Sequence, residues 1–115
     1  MKTLLLLALT MLTLQATTCN IYKVEDLTDS SKTVYPKNAT IKYDLVGNIL
    51  FTRIAGQVFE SIRVKTLDGK TKSGIKYQGY RQKNGFVNLI YGNFKEGVFS
   101  YTADLKTFET ITDCK

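Results

Sequence analysis

Between Arg63 and Lys83 the chain sets seven cations (Arg63, Lys65, Lys70, Lys72, Lys76, Arg81 and Lys83) against one anion, Asp68. The segment therefore carries a net charge of +6. Beyond residue 18, the rest of the chain holds eight cations and nine anions, so the basic character belongs to one place. Cations gathered in this way attract phosphates, acidic glycans and acidic protein surfaces. The ordinary alternative is a solvated sheet face whose lysines discourage edge-to-edge pairing.

Asp68-Gly69 reads as the two central residues of a hairpin turn, with Leu67 opposite Lys70. On that register Ile62 meets Ile75 and Val64 meets Ser73 on one face, while Lys65 meets Lys72 on the other. Arg63 then falls opposite Gly74, and Arg81 and Lys83 extend the basic face, with Tyr80 as an aromatic neighbour. The same register puts Glu60 on the apolar face between Val58 and Ile62, opposite Tyr77. A carboxyl buried there would be desolvated and its pKa raised, as a general acid or a ligand anchor requires. A β-bulge near Phe59 is the alternative, and it would turn Glu60 outward.

Other catalytic chemistry finds little support. The chain has no histidine, so neither a Ser-His-Asp nor a Cys-His arrangement can be assembled, and the commonest metal ligand is missing. Its glycines are isolated in turns and form no phosphate-binding loop. Glu60 and Asp44 could flank a glycosidic bond, but a domain this small seldom carries a saccharide cleft as well. The expectation is a protein that is not an enzyme and uses no metal or cofactor.

The elements that must position these residues are strands. Apolar residues alternate with polar ones, and no segment after residue 20 sustains a helical repeat over three turns. Strands are expected at 21–24, 33–35, 40–46, 49–54, 58–67, 71–80, 86–91, 98–102 and 107–112. Pro36 ends the short second one. Gly47-Asn48, Ala55-Gly56 and Asn84-Gly85 supply turns, the last with the residue types of a type I′ hairpin. Nearly every connection after residue 40 is short, so neighbours in sequence should be neighbours in the sheet.

The two ends add the closing constraint. Cys19 and Cys114 are the only cysteines, and in an exported chain they read as one disulfide. Half-cystines need Cα atoms within about 7 Å, and a meander whose ends meet is a barrel. The expected fold is an all-β antiparallel meander barrel of seven or eight short strands, with a two-sheet sandwich as the alternative. A bridge closing a loop of this length contributes up to about 4.7 kcal/mol in the chain-entropy view.

Export itself is read from the first residues. Lys2 precedes an apolar run from Leu4 to Leu14, the length of a signal-peptide core and too short to span a bilayer. Cleavage after Ala16 or Thr18 leaves a single domain over 19–115, secreted or periplasmic, with no transmembrane segment. Lipid anchoring through Cys19 is the alternative, although Ala16-Thr17-Thr18 fits a lipobox poorly. Asn38-Ala39-Thr40 is a glycosylation sequon.

Taken together, the residues suggest a secreted binding module that recognises an acidic glycan or acidic protein surface through Arg63, Lys65, Lys70, Lys72, Lys76, Arg81 and Lys83. Nucleic acid is a less natural partner for an exported chain. A small basic hydrolase or nuclease using Glu60, Arg63 and Arg81 is a second class. A structural or envelope-associated protein without a ligand is a third. A barrel carrying a small apolar molecule is a fourth, although the many Tyr and Phe residues argue for a filled interior.

Overall fold

The computed structural model describes residues 14–29, 31–102 and 104–115. Ten strands make up most of it: β1 (Leu14–Asp26), β2 (Thr33–Val34), β3 (Thr40–Val46), β4 (Ile49–Ile54), β5 (Gln57–Arg63), β6 (Gly69–Lys70), β7 (Lys76–Gln82), β8 (Val87–Tyr91), β9 (Gly97–Tyr101) and β10 (Thr107–Thr112). A single 3-10 turn among the described residues, Lys65–Leu67, interrupts them.

Eight strands form a closed antiparallel barrel in the order β1, β3, β4, β5, β7, β8, β9, β10 and back to β1. The closing β10–β1 pairing excludes the two-sheet sandwich. β2 lies beside the second half of β1, and β6 beside the start of β7. β1 closes the barrel because it is long enough to serve two neighbours. Residues 14–20 pair with β3, and residues 20–26 pair with β10 on the other edge. A bulge between Ile21 and Lys23 bends the strand where it passes from one duty to the other. Cys19 and Cys114 are bonded at this seam, with Cα atoms 3.9 Å apart. Cys19 is fully buried and its sulfur is bonded to Cys114.

Alternation decides what lies inside. Cys19, Ile21, Ile41, Tyr43, Leu50, Tyr80, Ile90, Val98 and Ile111 point inward and form the core. Phe94, in the β8–β9 connection, closes one end of the barrel and packs on Tyr43 with ring centroids 5.6 Å apart. That plug needs an unusual backbone: Gly92, Asn93 and Phe94 all have positive φ, with Phe94 at 74°. Such a conformation costs a bulky residue roughly 1–3 kcal/mol, and burial of the ring offsets it.

The hairpin expected at Asp68-Gly69 does not form. β5 pairs directly with β7 (Ser61 with Gln82, Ile62 with Arg81, Arg63 with Tyr80), so residues 64–75 become an insertion laid over the outside. Lys65 and Lys72 are therefore not cross-strand partners; the opposed pair is Lys70 and Lys76. Two anchors outweigh the turn signal. Leu67 sits on Gly79, where an added Cβ would come 2.2 Å from the Leu67 Cβ. Asp68 accepts from the Gly79 N–H at 3.0 Å and holds Arg63 with both carboxylate oxygens. The Asn84-Gly85 turn also departs from type I′. Only Gly85 has positive φ, and Gln82 pairs with Phe86 across a three-residue loop.

Of the leader expected over residues 1–18, residues 1–13 lie outside the described residues. Residues 14–18 continue β1 along β3. Thr18 exchanges backbone hydrogen bonds with Lys115 at 2.9 and 2.8 Å, and the Thr17 hydroxyl donates to the Lys115 carbonyl at 2.9 Å. A chain starting at Thr17 keeps this clasp, and one starting at Cys19 loses it. Three hydrogen bonds at about 0.5–1.5 kcal/mol each, reduced by fraying, predict a loss of about 1–3 kcal/mol. Urea unfolding of the two chains, each with its disulfide intact, measures the difference. Equal midpoints would show that the clasp contributes nothing.

Candidate functional site

The residues singled out from sequence do not gather into one site. Arg63 is mostly buried, bonded to Asp68 and to the Gly79 carbonyl, and stacked 5.5 Å from the Tyr80 ring centroid. Arg63 holds the Asp68 carboxyl below its usual range and Asp68 in turn raises the guanidinium, so Arg63 is a structural clamp. Lys76 and Arg81 are five residues apart on β7, an odd spacing that sends them to opposite faces. Lys65, Lys70 and Lys72 lie in the insertion, at the end of β7 away from Lys83.

Glu60 is exposed, which corrects the expectation of a buried acid. No bulge is needed to turn it outward, since β4 and β5 pair without interruption from Ile49–Ile62 to Ile54–Gln57. The phase of β5 is simply the reverse of the hairpin register. Ser61 faces inward and is fully buried, while Val58 and Ile62 are more than half exposed. Glu60 does meet Arg81 and Lys83 in a shallow outer groove of about 600 Å³ beside Val58 and Ile62. Arg63, the third member of the proposed catalytic set, is not part of it.

The barrel interior holds a more organised site. Beyond the apolar core lies a cavity of about 290 Å³, walled by Ile41, Ile54, Phe59 and Phe86. Gln82 and Asn84 stand at its rim, beside the β7–β8 turn, so the cavity faces the end of the barrel opposite the Phe94 plug. The expectation of a filled interior fails because most aromatic residues are elsewhere. Phe99, Tyr101 and Phe108 stack on the outside, with centroids 5.0–6.2 Å apart, and Tyr22 and Tyr35 are exposed.

Polar side chains converge on the cavity. Asn88, Ser100 and Glu109 are consecutive cross-strand neighbours on β8, β9 and β10, all on the inward face. Asn88 is satisfied, since its amide donates to Ser61 at 3.2 Å and its oxygen accepts from Ser100. Across the barrel, Tyr43 and Thr52 are direct partners on β3 and β4. Their hydroxyls are buried and have no hydrogen-bond partner among the described residues. Leaving such a group unpaired costs about 1–3 kcal/mol.

Glu109 is half-buried and makes no ion pair among the described residues. Desolvation pushes its pKa up. The Tyr43 hydroxyl is pushed up as well, first by burial and then by the nearby Glu109 charge, with the neighbouring Ser100 hydroxyl acting the other way at a range too long or too bent for a regular hydrogen bond. These are the two titratable groups lining the cavity. No group of three or more histidines, cysteines or carboxylates is placed to hold a metal ion among the described residues. Sequence reading missed Glu109, Asn88 and Ser100. Their only signal was alternation in strands that are apolar on both faces.

Retaining an ionised carboxylate in this position opposes folding. The native state holds the Glu109 proton to higher pH than the unfolded chain does. Stability from this group is therefore complete below the unfolded pKa of about 4.3 and is lost as pH rises through the native value. Glu109→Gln should accordingly raise the melting temperature at pH 7, by about 2–4 °C for a sub-kilocalorie gain in a domain of this size. The gain should shrink toward zero near pH 4, where the carboxyl is neutral in both states. Calorimetric melts across that range check the sign; a gain that grows in acid would contradict it.

No family model matches the chain, nor does any curated protein or solved structure.

Proposed function

We propose that this protein is an exported binding protein that holds a small molecule inside its barrel. One observation carries the reading. A cavity of about 290 Å³ is lined by apolar walls and by one half-buried carboxyl, Glu109, that makes no ion pair among the described residues. That size is close to the lower limit of ligand sites, roughly 300–1,000 Å³, so a compact occupant is implied. A few polar groups on an apolar wall are what fix a ligand's orientation in such sites. Export is supported by the Cys19–Cys114 bond, which persists in oxidising compartments, and no helix of the described residues is long and apolar enough to cross a membrane.

Nuclear magnetic resonance titration with small neutral aromatic alcohols tests this. Shifts should concentrate on Tyr43, Thr52, Phe59, Phe86, Asn88 and Glu109. Thr52→Phe, which projects a ring into the cavity, should weaken binding by at least about tenfold, the cost of lost complementarity in a filled pocket. Shifts confined to the outer groove, or unchanged affinity in a folded Thr52→Phe protein, would overturn the reading.

A second reading, recognition of an acidic glycan or acidic protein surface, is favoured by one feature. Lys70 and Lys76 are exposed, directly opposed on β6 and β7, and without an ion-pair partner among the described residues. Like charges so placed destabilise a sheet and are relieved by a bound polyanion. Reversal of Lys65, Lys70 and Lys72 to Glu should abolish retention on a heparin column at about 0.15 M salt, where screening is partial. Unchanged elution would remove this reading.

A further inference from the structure

We infer that the free edge of β5 is a docking site for an extended, acidic segment of a partner protein, which adds there as a short strand. The inference concerns the outer groove and does not depend on the cavity holding a ligand. β5 pairs with β4 over residues 57–62, but with β7 only over residues 61–63. Backbone groups alternate in direction along a strand, and two bonds fix the phase. Arg63 donates its N–H to Asn48, beside β4, and Val64 donates to Gly79 of β7, each at 2.9 Å. Ile62, Glu60 and Val58 therefore turn their N–H and C=O groups toward β7. Ile62 meets Arg81, but β7 ends at Gln82, and the next pair, Glu60 with Lys83, does not form. The backbone groups of Glu60 and Val58 on this side have no bonded partner among the described residues.

A bare strand edge is a template on which another chain can pair. β5 carries neither proline nor lysine, the usual guards of such an edge. The groove beside it has Val58, Glu60 and Ile62 on one bank and Arg81 and Lys83 on the other. Val58 and Ile62 are 54% and 58% exposed, so apolar surface adjoins the free backbone groups. Charge selects the occupant. Arg81 and Lys83 make no ion pair among the described residues and outnumber Glu60 in the groove. An acidic segment complements them. A second copy of this chain would bring a like net charge of +6. Residues of the added strand that bond to Val58 and Glu60 point outward, as those two do, on the side of Arg81 and Lys83. The residue between them points inward with Phe59, which also borders the cavity, and an apolar side chain suits that place. The segment is thus acidic and apolar in alternation.

Nuclear magnetic resonance titration of the disulfide-bonded protein with an end-blocked peptide of alternating aspartate and valine tests the inference. The Val58 and Glu60 amides should shift and become protected from hydrogen exchange. Methylating the aspartate backbone nitrogens removes the donors turned toward β5, and should weaken binding at least about tenfold, the loss of one or two hydrogen bonds. Val58→Pro deletes a free N–H without breaking a bond of the barrel, and should weaken the unmethylated peptide. The methylated peptide makes the equivalent cut on the unaltered protein, so the test stands even where that variant fails to fold. Lysine in place of aspartate should also weaken binding. Equal affinity for methylated and unmethylated peptides would overturn strand addition, and equal affinity for the aspartate and lysine peptides would overturn the acidic preference. Protection of the two amides that grows with protein concentration alone would assign the edge to a second copy and overturn the partner assignment. No shift at Val58 and Glu60 would remove the inference while leaving the cavity reading intact.

Discussion

The barrel depends on β1 pairing with both β3 and β10. An open meander of this order would leave two bare edges and an interior exposed along its length. Closure turns the inward residues of eight strands into one enclosed set, and the bulge after Ile21 lets a single strand span both neighbours. The Cys19–Cys114 bond stands at the same seam, 95 residues apart in sequence. It therefore lowers the entropy of the unfolded chain by tying together the two strands whose pairing is most non-local.

Closure also explains why the interior can be polar. Ser61, Asn88 and Ser100 are almost fully buried and bonded to one another across β5, β8 and β9. Such a row is tolerable only where neighbouring strands fix every partner, since a half-satisfied network costs more than an apolar core. The row ends at Glu109, which has no bonded partner of its own among the described residues. Beyond it the Tyr43 and Thr52 hydroxyls are equally unpaired. Satisfied polar groups thus stand beside unsatisfied ones within one barrel interior.

Much of the architecture was legible from residues. Short turns after residue 40 and cysteines at both ends required a closed meander, and the strands at 40–46, 49–54 and 107–112 follow directly from alternation. The faces were legible only where one side is polar. Ile41, Tyr43 and Leu45 against Lys42 and Asp44 leave no doubt about β3. In β8, Val87, Leu89 and Tyr91 compete with Asn88 and Ile90, and in β9 Phe99 and Tyr101 compete with Val98 and Ser100. Hydrophobicity favours the wrong side of β9, because the aromatic row packs on the outside with Phe108. The Asp68-Gly69 error has a different origin. Local turn chemistry was outweighed by a non-local anchor, the Arg63–Asp68–Gly79 bonding that no spacing in the sequence announces.

That anchor has a structural counterpart at the stapled seam. Around the eight-strand circuit, the β5–β7 seam lies opposite the β10–β1 seam, and it is the shortest, with three residue pairs. Arg63 and Asp68 hold its inner end, where Val64 also donates to the Gly79 carbonyl at 2.9 Å. Its outer end is unpaired beyond Ser61 and Gln82, and there Phe59 borders both the interior cavity and the outer groove. One wall of the cavity is thus a side chain on a stretch of β5 that pairs with β4 but has no partner toward β7. Local opening costs least where backbone hydrogen bonds are fewest. By that rule the least-bonded part of the cavity wall is the gap between β5 and β7 at Phe59.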